Sequence, residues 1–361
     1  MSSDKEHPHS ILHEVKVSKV ILPTILGVGV VLWLMYTQLE IHQLENIQSN
    51  ASTLFWITAA CLVYVVRHLF YAWRLRLLSG YYFSWWKAIE LIVIWEFSSA
   101  VSPTSVGGSG VAFFFLSQEK LSGGKTVSLV LYSIVLDTFF FLLSLPLFYL
   151  IFGPKVIRPD MAAFADLDGY GWTFLLSLLG MAVYGSLFYY GVFINPRIVK
   201  RFLLLLSKIP LWKKMKDNLR KTAMDVVVAS SDLKHQSVLF HMQAIVATAG
   251  AWITRFVAIN FLIMALVNNL SLSWYDQGLL LGRGEVMHVI TTFSPTPGGA
   301  GIAEYLFGGF YSDYIPAGIA SIIALVWRLV TYYPYLLAGA IVIPIWIKKL
   351  LEHRHDTHTV S

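Results

Sequence analysis

Ser102-Pro103-Thr104-Ser105-Val106-Gly107-Gly108-Ser109-Gly110 cuts through the otherwise apolar stretch 88–118, and Ser294-Pro295-Thr296-Pro297-Gly298-Gly299-Ala300-Gly301 cuts through 277–310. Proline removes a backbone donor and glycine weakens a helix, so each stretch is expected to break into two short helices. Unpaired backbone at membrane depth survives only where it is buried in protein or lines a wet cavity. A single break reads as a kink for close helix packing. Two related breaks in opposite halves of one chain point instead to a site.

The surroundings of both breaks belong in a bilayer. Of 361 residues, 56% are hydrophobic, 15% aromatic and only 13% charged, about half the charged content of a soluble domain. Six further segments, 20–38, 52–73, 127–152, 172–194, 238–267 and 317–347, are each long enough to cross a hydrocarbon core. The polar stretch 1–19 is too long for a secretory signal, so 20–38 is read as a retained first span. The lone cysteine, Cys61, sits inside a span and says nothing of redox compartment.

Charge placement sets the topology. With a cytoplasmic N-terminus and both broken stretches re-entrant, 21 of the 27 lysines and arginines fall on the inner side. The net charge of +6 therefore belongs to segments that flank the membrane, and no nucleic-acid partner is expected. Setting Gly107 on Gly298 brings Gly108 onto Gly299, Gly110 onto Gly301 and Asp137 opposite Arg328. Repeat one (52–152) then begins outside and repeat two (238–347) inside. The expected fold is an all-α integral membrane protein of about six full spans plus two re-entrant broken hairpins in an inverted repeat. Transporters place substrate at such repeat interfaces.

Between the repeats lies a basic cytoplasmic bridge, 196–236. Ile198, Phe202, Leu205, Ile209 and Trp212 recur at helical spacing with Lys200, Arg201, Lys208 and Lys213 between them, which suits a helix on an anionic membrane surface. Segments 1–19 and 348–361 are read as cytoplasmic ends, with His353, His355 and His358 in a solvated, disordered tail.

Charges at membrane depth are costly and face a partner or a cavity. Asp137, Arg255 and Arg328 lie mid-span; Asp137 and Arg328 are expected to face each other across the pseudo-twofold axis, either as a structural ion pair or as a lipid site. Glu90 and Arg283, nearer segment ends, are expected to snorkel. A helix restarting at Val111 or Ile302 would offer free amides to a phosphate or carboxylate. Glu285 and His288 share a helix face at i, i+3, which invites a metal or proton-relay reading, but one such pair supplies too few ligands for a metal, and packing or hydrogen bonding is the expected role. Gly107-Gly108-Ser109-Gly110 lacks the lysine of a phosphate-binding loop, and no catalytic motif is present.

Pro297-Gly298-Gly299-Ala300-Gly301-Ile302-Ala303-Glu304, followed 24 residues after the glutamate by Arg328 within Trp327-Arg328-Leu329-Val330-Thr331-Tyr332-Tyr333-Pro334, resembles the lysylphosphatidylglycerol synthase transmembrane region. This is a flippase-like family of bacterial and archaeal membrane proteins, and the resemblance covers roughly 20–347. Pro103, the first glycine cluster and Asp137 fit its first block more loosely. Many members carry an acidic residue beside the glycine and an arginine shortly before the aspartate, where this chain has Ser109 and Ile134.

The resemblance implies a lipid translocator of the cytoplasmic (inner) membrane with both termini inside. Its substrate would be an anionic, aminoacylated or polyprenyl-linked lipid. The soluble aminoacyl-transfer domain of the best-known members is not in this sequence, so no lysyl transfer is expected of the chain itself, and a separate lipid-modifying enzyme is the implied partner. A small-anion or polar-solute transporter is the alternative, and a membrane-embedded enzyme acting on lipid-linked phosphate a weaker one. The candidate lipid-binding residues are Pro103, Gly107, Gly108, Gly110, Asp137, Arg255, Pro295, Pro297, Gly298, Gly299, Gly301, Glu304 and Arg328, with no catalytic residue, metal ligand or cofactor.

Overall fold

Serine, asparagine or aspartate stands in front of six of the long helices, and its side chain accepts a hydrogen bond from an otherwise orphaned backbone amide. In the computed structural model Asn50 caps α1 (Ala51–Leu78), Ser84 caps α2 (Trp85–Val101) and Ser122 caps α4 (Gly123–Phe152). Asp168 caps α5 (Gly169–Tyr189), Ser237 caps α8 (Val238–Leu266) and Ser273 caps α9 (Trp274–Thr292). The remaining helices are α3 (Ser105–Gln118), α6 (Pro196–Leu206), α7 (Lys216–Lys234), α10 (Ile302–Phe310), α11 (Ala317–Thr331) and α12 (Tyr333–Thr359). The structure describes residues 50–102, 105–208, 216–267, 270–294, 296, 299 and 301–359, and no strand occurs among them.

Among the described residues, five helical segments are long and apolar enough to cross a membrane: Ala51–Leu78, Gly123–Val156, Gly169–Ile194, Val238–Leu266 and Ile319–Leu350. These correspond to five of the six expected spans; the sixth, 20–38, lies outside the described residues. Their outward faces carry Leu143, Leu147 and Leu150 on α4 and Leu176, Leu179 and Leu187 on α5, with Leu150 81% exposed. A leucine face this bare suits hydrocarbon and not water.

Three helix pairs organise the interior. Trp56 meets Phe261, Phe70 meets Gly250 and Tyr71 meets Trp252, so α1 and α8 run antiparallel. A Cβ on Gly108 would lie 2.7 Å from the Ser99 Cα, and Trp95 packs on Phe115, so α2 and α3 form a tight antiparallel hairpin. Along α4 and α9, Phe152 lies over Gly278, Phe148 over Gly282, Ser144 bonds Glu285 and Phe141 stacks on His288. The two glycines leave room for the two phenylalanine rings. Two large apolar clusters result, one around α9, α10 and α11, the other around α2, α3 and the first half of α4.

Several expectations change. Helix α3 begins at Ser105 rather than Val111, so Gly107, Gly108 and Gly110 lie inside it, and Gly108 packs closely on Ser99 where an open helix end was expected. After the second break α10 does begin at Ile302, following Gly299 (φ +70°) and Gly301 (φ +81°), both in left-handed conformations that favour glycine. The last span is interrupted where α11 ends at Thr331 and α12 starts at Tyr333, because Pro334 has no amide to continue the ladder. Helix α12 then continues to Thr359, where a disordered tail was expected.

The bridge consists of two helices. Helix α6 exposes Ile198, Phe202 and Leu205, as a surface-lying helix would. Helix α7 instead packs on the first turns of α4, where Gly124 meets the Asp225 backbone and Ser128 meets Ser230. Ile209 and Trp212 lie outside the described residues. Glu90 pairs with Lys87 at 3.2 Å.

Arg283 does not snorkel. It is fully buried, its Nη1 and Nη2 donate to Asp313 at 2.5 and 2.9 Å, and its Nε donates to the Lys155 carbonyl at 2.9 Å. Removing one partner of a buried pair leaves an uncompensated charge. Asp313→Ala is therefore expected to cost about 3 kcal/mol in detergent unfolding experiments, with Asp313→Glu recovering part of it. An unchanged midpoint would remove this pair from the forces that hold α9 to the end of α10.

Candidate functional site

Between the two apolar clusters lies a cavity of about 250 Å³. Helices α1, α2, α4, α5, α8, α9 and α11 contribute to its wall, as do Ser294, Thr296 and Gly299 from the second break. Four arginines face it, Arg67, Arg74, Arg255 and Arg328, against two carboxylates, Glu96 and Asp137.

Three of the arginines are compensated. The Arg67 guanidinium is buried, with Nη2 2.9 Å from Glu96 Oε1 and Nη1 donating to the Tyr335 hydroxyl at 3.0 Å. The rings of Tyr64, Tyr71 and Tyr335 stand around it at 4.8, 4.7 and 5.6 Å, an arrangement in which ring quadrupoles replace lost hydration. Arg74 donates to both oxygens of Asp137 at 2.5 and 3.3 Å, and its guanidinium lies 4.7 Å from the Tyr71 ring. Arg328 Nε lies 2.6 Å from Glu304 Oε1, and its guanidinium sits 4.6 Å from the Tyr332 ring. That contact is an ion pair by distance without hydrogen-bond alignment, and the buried Nη2 of Arg328 has no partner among the described residues.

Asp137 and Arg328 thus share the cavity but do not pair. Helix α1 runs five residues beyond the expected span end at 73, which carries Arg74 out of its supposed loop and into reach of Asp137. The arginine missing near position 134 is supplied from another helix. Glu304 is held twice, by Arg328 and by the Gly301 amide, which donates to its Oε2 at 2.7 Å. This pins the second glycine turn to α11.

Arg255 is different. It has no carboxylate within ion-pair distance among the described residues, and its guanidinium lies 5.5 Å from the Trp252 ring. Trp252 is the hub of the cavity floor. Its Nε1 donates to Asp137 at 2.8 Å, and its ring packs on Phe141, Phe256 and His288. Counting Glu304 with its partner, the site holds four arginines against three carboxylates, so one positive charge is left over at Arg255.

Of the residues selected from sequence, Asp137, Arg255, Gly299 and Arg328 line the cavity, and Gly301 and Glu304 support it from one shell out. Gly108 and Gly110 do not line it. Pro103, Pro295, Pro297 and Gly298 lie outside the described residues. Sequence reasoning passed over Arg74, Trp252 and the tyrosines 64, 71 and 335, and assigned His288 to packing. The tyrosines carried a usable signal: Tyr64, Arg67, Tyr71 and Arg74 recur at three- and four-residue spacing, one face of a helix. No group of three metal-ligating side chains occurs among the described residues.

A family model described as the lysylphosphatidylglycerol synthase TM region matches residues 20–339. A UPF0104 membrane protein of Archaeoglobus fulgidus is 24% identical over 300 residues, covering 79% of this chain and 84% of its own length. No solved structure matches the chain significantly. With this match over most of its length and five apolar spans in its fold, the chain is an integral membrane protein that belongs to the lysylphosphatidylglycerol synthase TM region family.

Proposed function

We propose that this protein translocates a lipid with an anionic headgroup across the cytoplasmic membrane, as a flippase or scramblase. The observation that carries this reading is Arg255, a cavity arginine without a carboxylate partner among ion pairs that otherwise cancel. A charge held at membrane depth is costly and usually marks a substrate path or a partner, and a phosphate supplies that partner. The volume of about 250 Å³ supports a headgroup and not a whole lipid, since pockets that engulf drug-sized ligands start at roughly 300 Å³. Acyl chains would stay in the bilayer. The headgroup classes that fit are anionic, aminoacylated and polyprenyl-linked; for an aminoacylated one, a separate modifying enzyme would supply the substrate.

The topology belongs to the same proposal. Helix α10 has nine residues, about 14 Å at 1.5 Å per residue, less than half of a hydrocarbon core of about 30 Å. Paired with α9 it makes a re-entrant hairpin, and α2 with α3 makes the other. The antiparallel α1–α8 pair is what an axis in the membrane plane produces between the first helices of two inverted copies. Both termini are placed in the cytoplasm, on the loop charges.

A small anion moving without a lipid would use the same charge, and the cavity volume favours this as the second reading. Liposome assays separate the two. Purified protein should accelerate headgroup access of a labelled anionic lipid over empty vesicles, and Arg255→Gln should lower the rate about tenfold or more, the worth of one charged hydrogen bond. Flux of inorganic phosphate with no lipid movement would replace the lipid reading with the anion one, and neither flux would remove both. Arg74→Ala and Asp137→Ala should be non-additive in stability, with a coupling of about 0.5–3 kcal/mol in a double-mutant cycle. Additive losses would dissolve the pair that braces α1 against α4.

A further inference from the structure

Glu285 on α9 is wholly buried. Its Oε2 accepts a hydrogen bond from Ser144 Oγ at 2.6 Å, its Oε1 has no partner, and no basic group stands within ion-pair distance among the described residues. The charged and titratable groups on the surrounding helices are committed elsewhere. Arg283 is bound to Asp313 and the Lys155 carbonyl, Tyr311 to the Leu280 carbonyl, Asp137 to Arg74 and Trp252, and Arg255 lies over Trp252. Its position is set by the α4–α9 ladder. The Ser144–Glu285 rung lies one helical turn from the Phe141–His288 rung, and His288 lines the cavity. The His288 ring is clamped between Phe141 at 5.4 Å and Trp252 at 4.7 Å, and its nitrogens have no hydrogen-bond partner among the described residues.

We propose that Glu285 is a proton-binding site that couples anion movement to proton movement, with His288 as the relay between it and the cavity; this rests on reading the cavity as an anion site. An ionised carboxylate in an apolar enclosure without a cation is strongly disfavoured, and a proton removes that cost. Buried acid–histidine chains are how membrane transporters carry protons. Protonation of Glu285 takes away a negative charge one helical turn from His288, whose ring packs on the Trp252 that Arg255 lies over, and so raises the pull of the cavity on an anion. By reciprocity, a bound anion holds that proton in place. On release the O–H bond of the Glu285 carboxyl breaks and an N–H bond forms at His288, whose proton passes to water in the cavity. A carboxylate remains at Glu285, and its charge offsets that of Arg255 in the empty carrier. The occupied, protonated state and the empty, deprotonated state carry the same charge, so both cross at similar cost and anion and proton travel together.

Two measurements test this. Infrared spectra of the purified protein should contain a protonated-carboxyl carbonyl band that Glu285→Gln removes and Ser144→Ala shifts, because Ser144 donates to that carboxyl. A band unchanged in both variants overturns the proposal whether or not any lipid moves. In phosphatidylglycerol vesicles with a pH difference of about one unit, one proton per lipid supports about tenfold enrichment in the leaflet facing the alkaline side. Wild type should approach that enrichment, and Glu285→Gln should leave the labelled lipid evenly divided between the leaflets. Wild-type movement indifferent to the gradient overturns the coupling and leaves the translocator reading standing. No movement in either protein overturns that reading, and the infrared band still decides Glu285.

Discussion

An arginine at membrane depth must be compensated where it stands, because a central one costs about 2.5–3.5 kcal/mol even on the gentler insertion scale. This chain carries four around one cavity, and the interior is arranged to hold them. Glu96 reaches Arg67 from α2, Asp137 reaches Arg74 from α4, and Glu304 reaches Arg328 from α10. Each pair joins different helices, so satisfying the charges also fixes how the hairpins sit against α1, α4 and α11. Tyrosines finish the work that water would do outside, with Tyr64, Tyr71 and Tyr335 around Arg67 and Tyr332 beside Arg328. Arg255 departs from this pattern, and its departure is the basis of the functional reading.

The two hairpins are also braced at their bases. Lys87 near the start of α2 lies 2.6 Å from Glu119 just past the end of α3, and Arg283 on α9 holds Asp313 just past the end of α10. Each brace closes its own hairpin. The tips differ: Gly108 packs hard against Ser99 within a helix, whereas Gly299 and Gly301 form an open turn whose backbone faces the cavity and Glu304. The first break thus supplies packing, and the second supplies the turn beside the cavity.

Much of this was legible in the sequence, for reasons that can be named. Long apolar runs identify spans because bilayer thickness fixes their length, and five of them appear where expected. Proline and glycine marked both breaks because they act on the backbone directly. Asp137, Arg255 and Arg328 stood out because a charge amid apolar residues needs no context to be noticed. What stayed hidden depends on three dimensions. The partner of Asp137 is 63 residues away on a helix whose end ran past the apolar segment, and repeat symmetry pointed to Arg328 instead. Glycine identity showed that Gly107, Gly108 and Gly110 matter without showing whether they open a helix or pack one. Arg283 looked free to reach the surface because its partner, Asp313, stands 30 residues further on.

The central claim is that the unpaired charge at Arg255 holds an anionic headgroup. Native mass spectrometry of protein extracted gently from its membrane tests it most directly. The account predicts a co-purifying anionic lipid on the wild-type protein that is lost from Arg255→Gln, while the variant keeps the wild-type unfolding midpoint. Equal retention of that lipid by both proteins, or a bound population made up only of lipids without net negative charge, would contradict it.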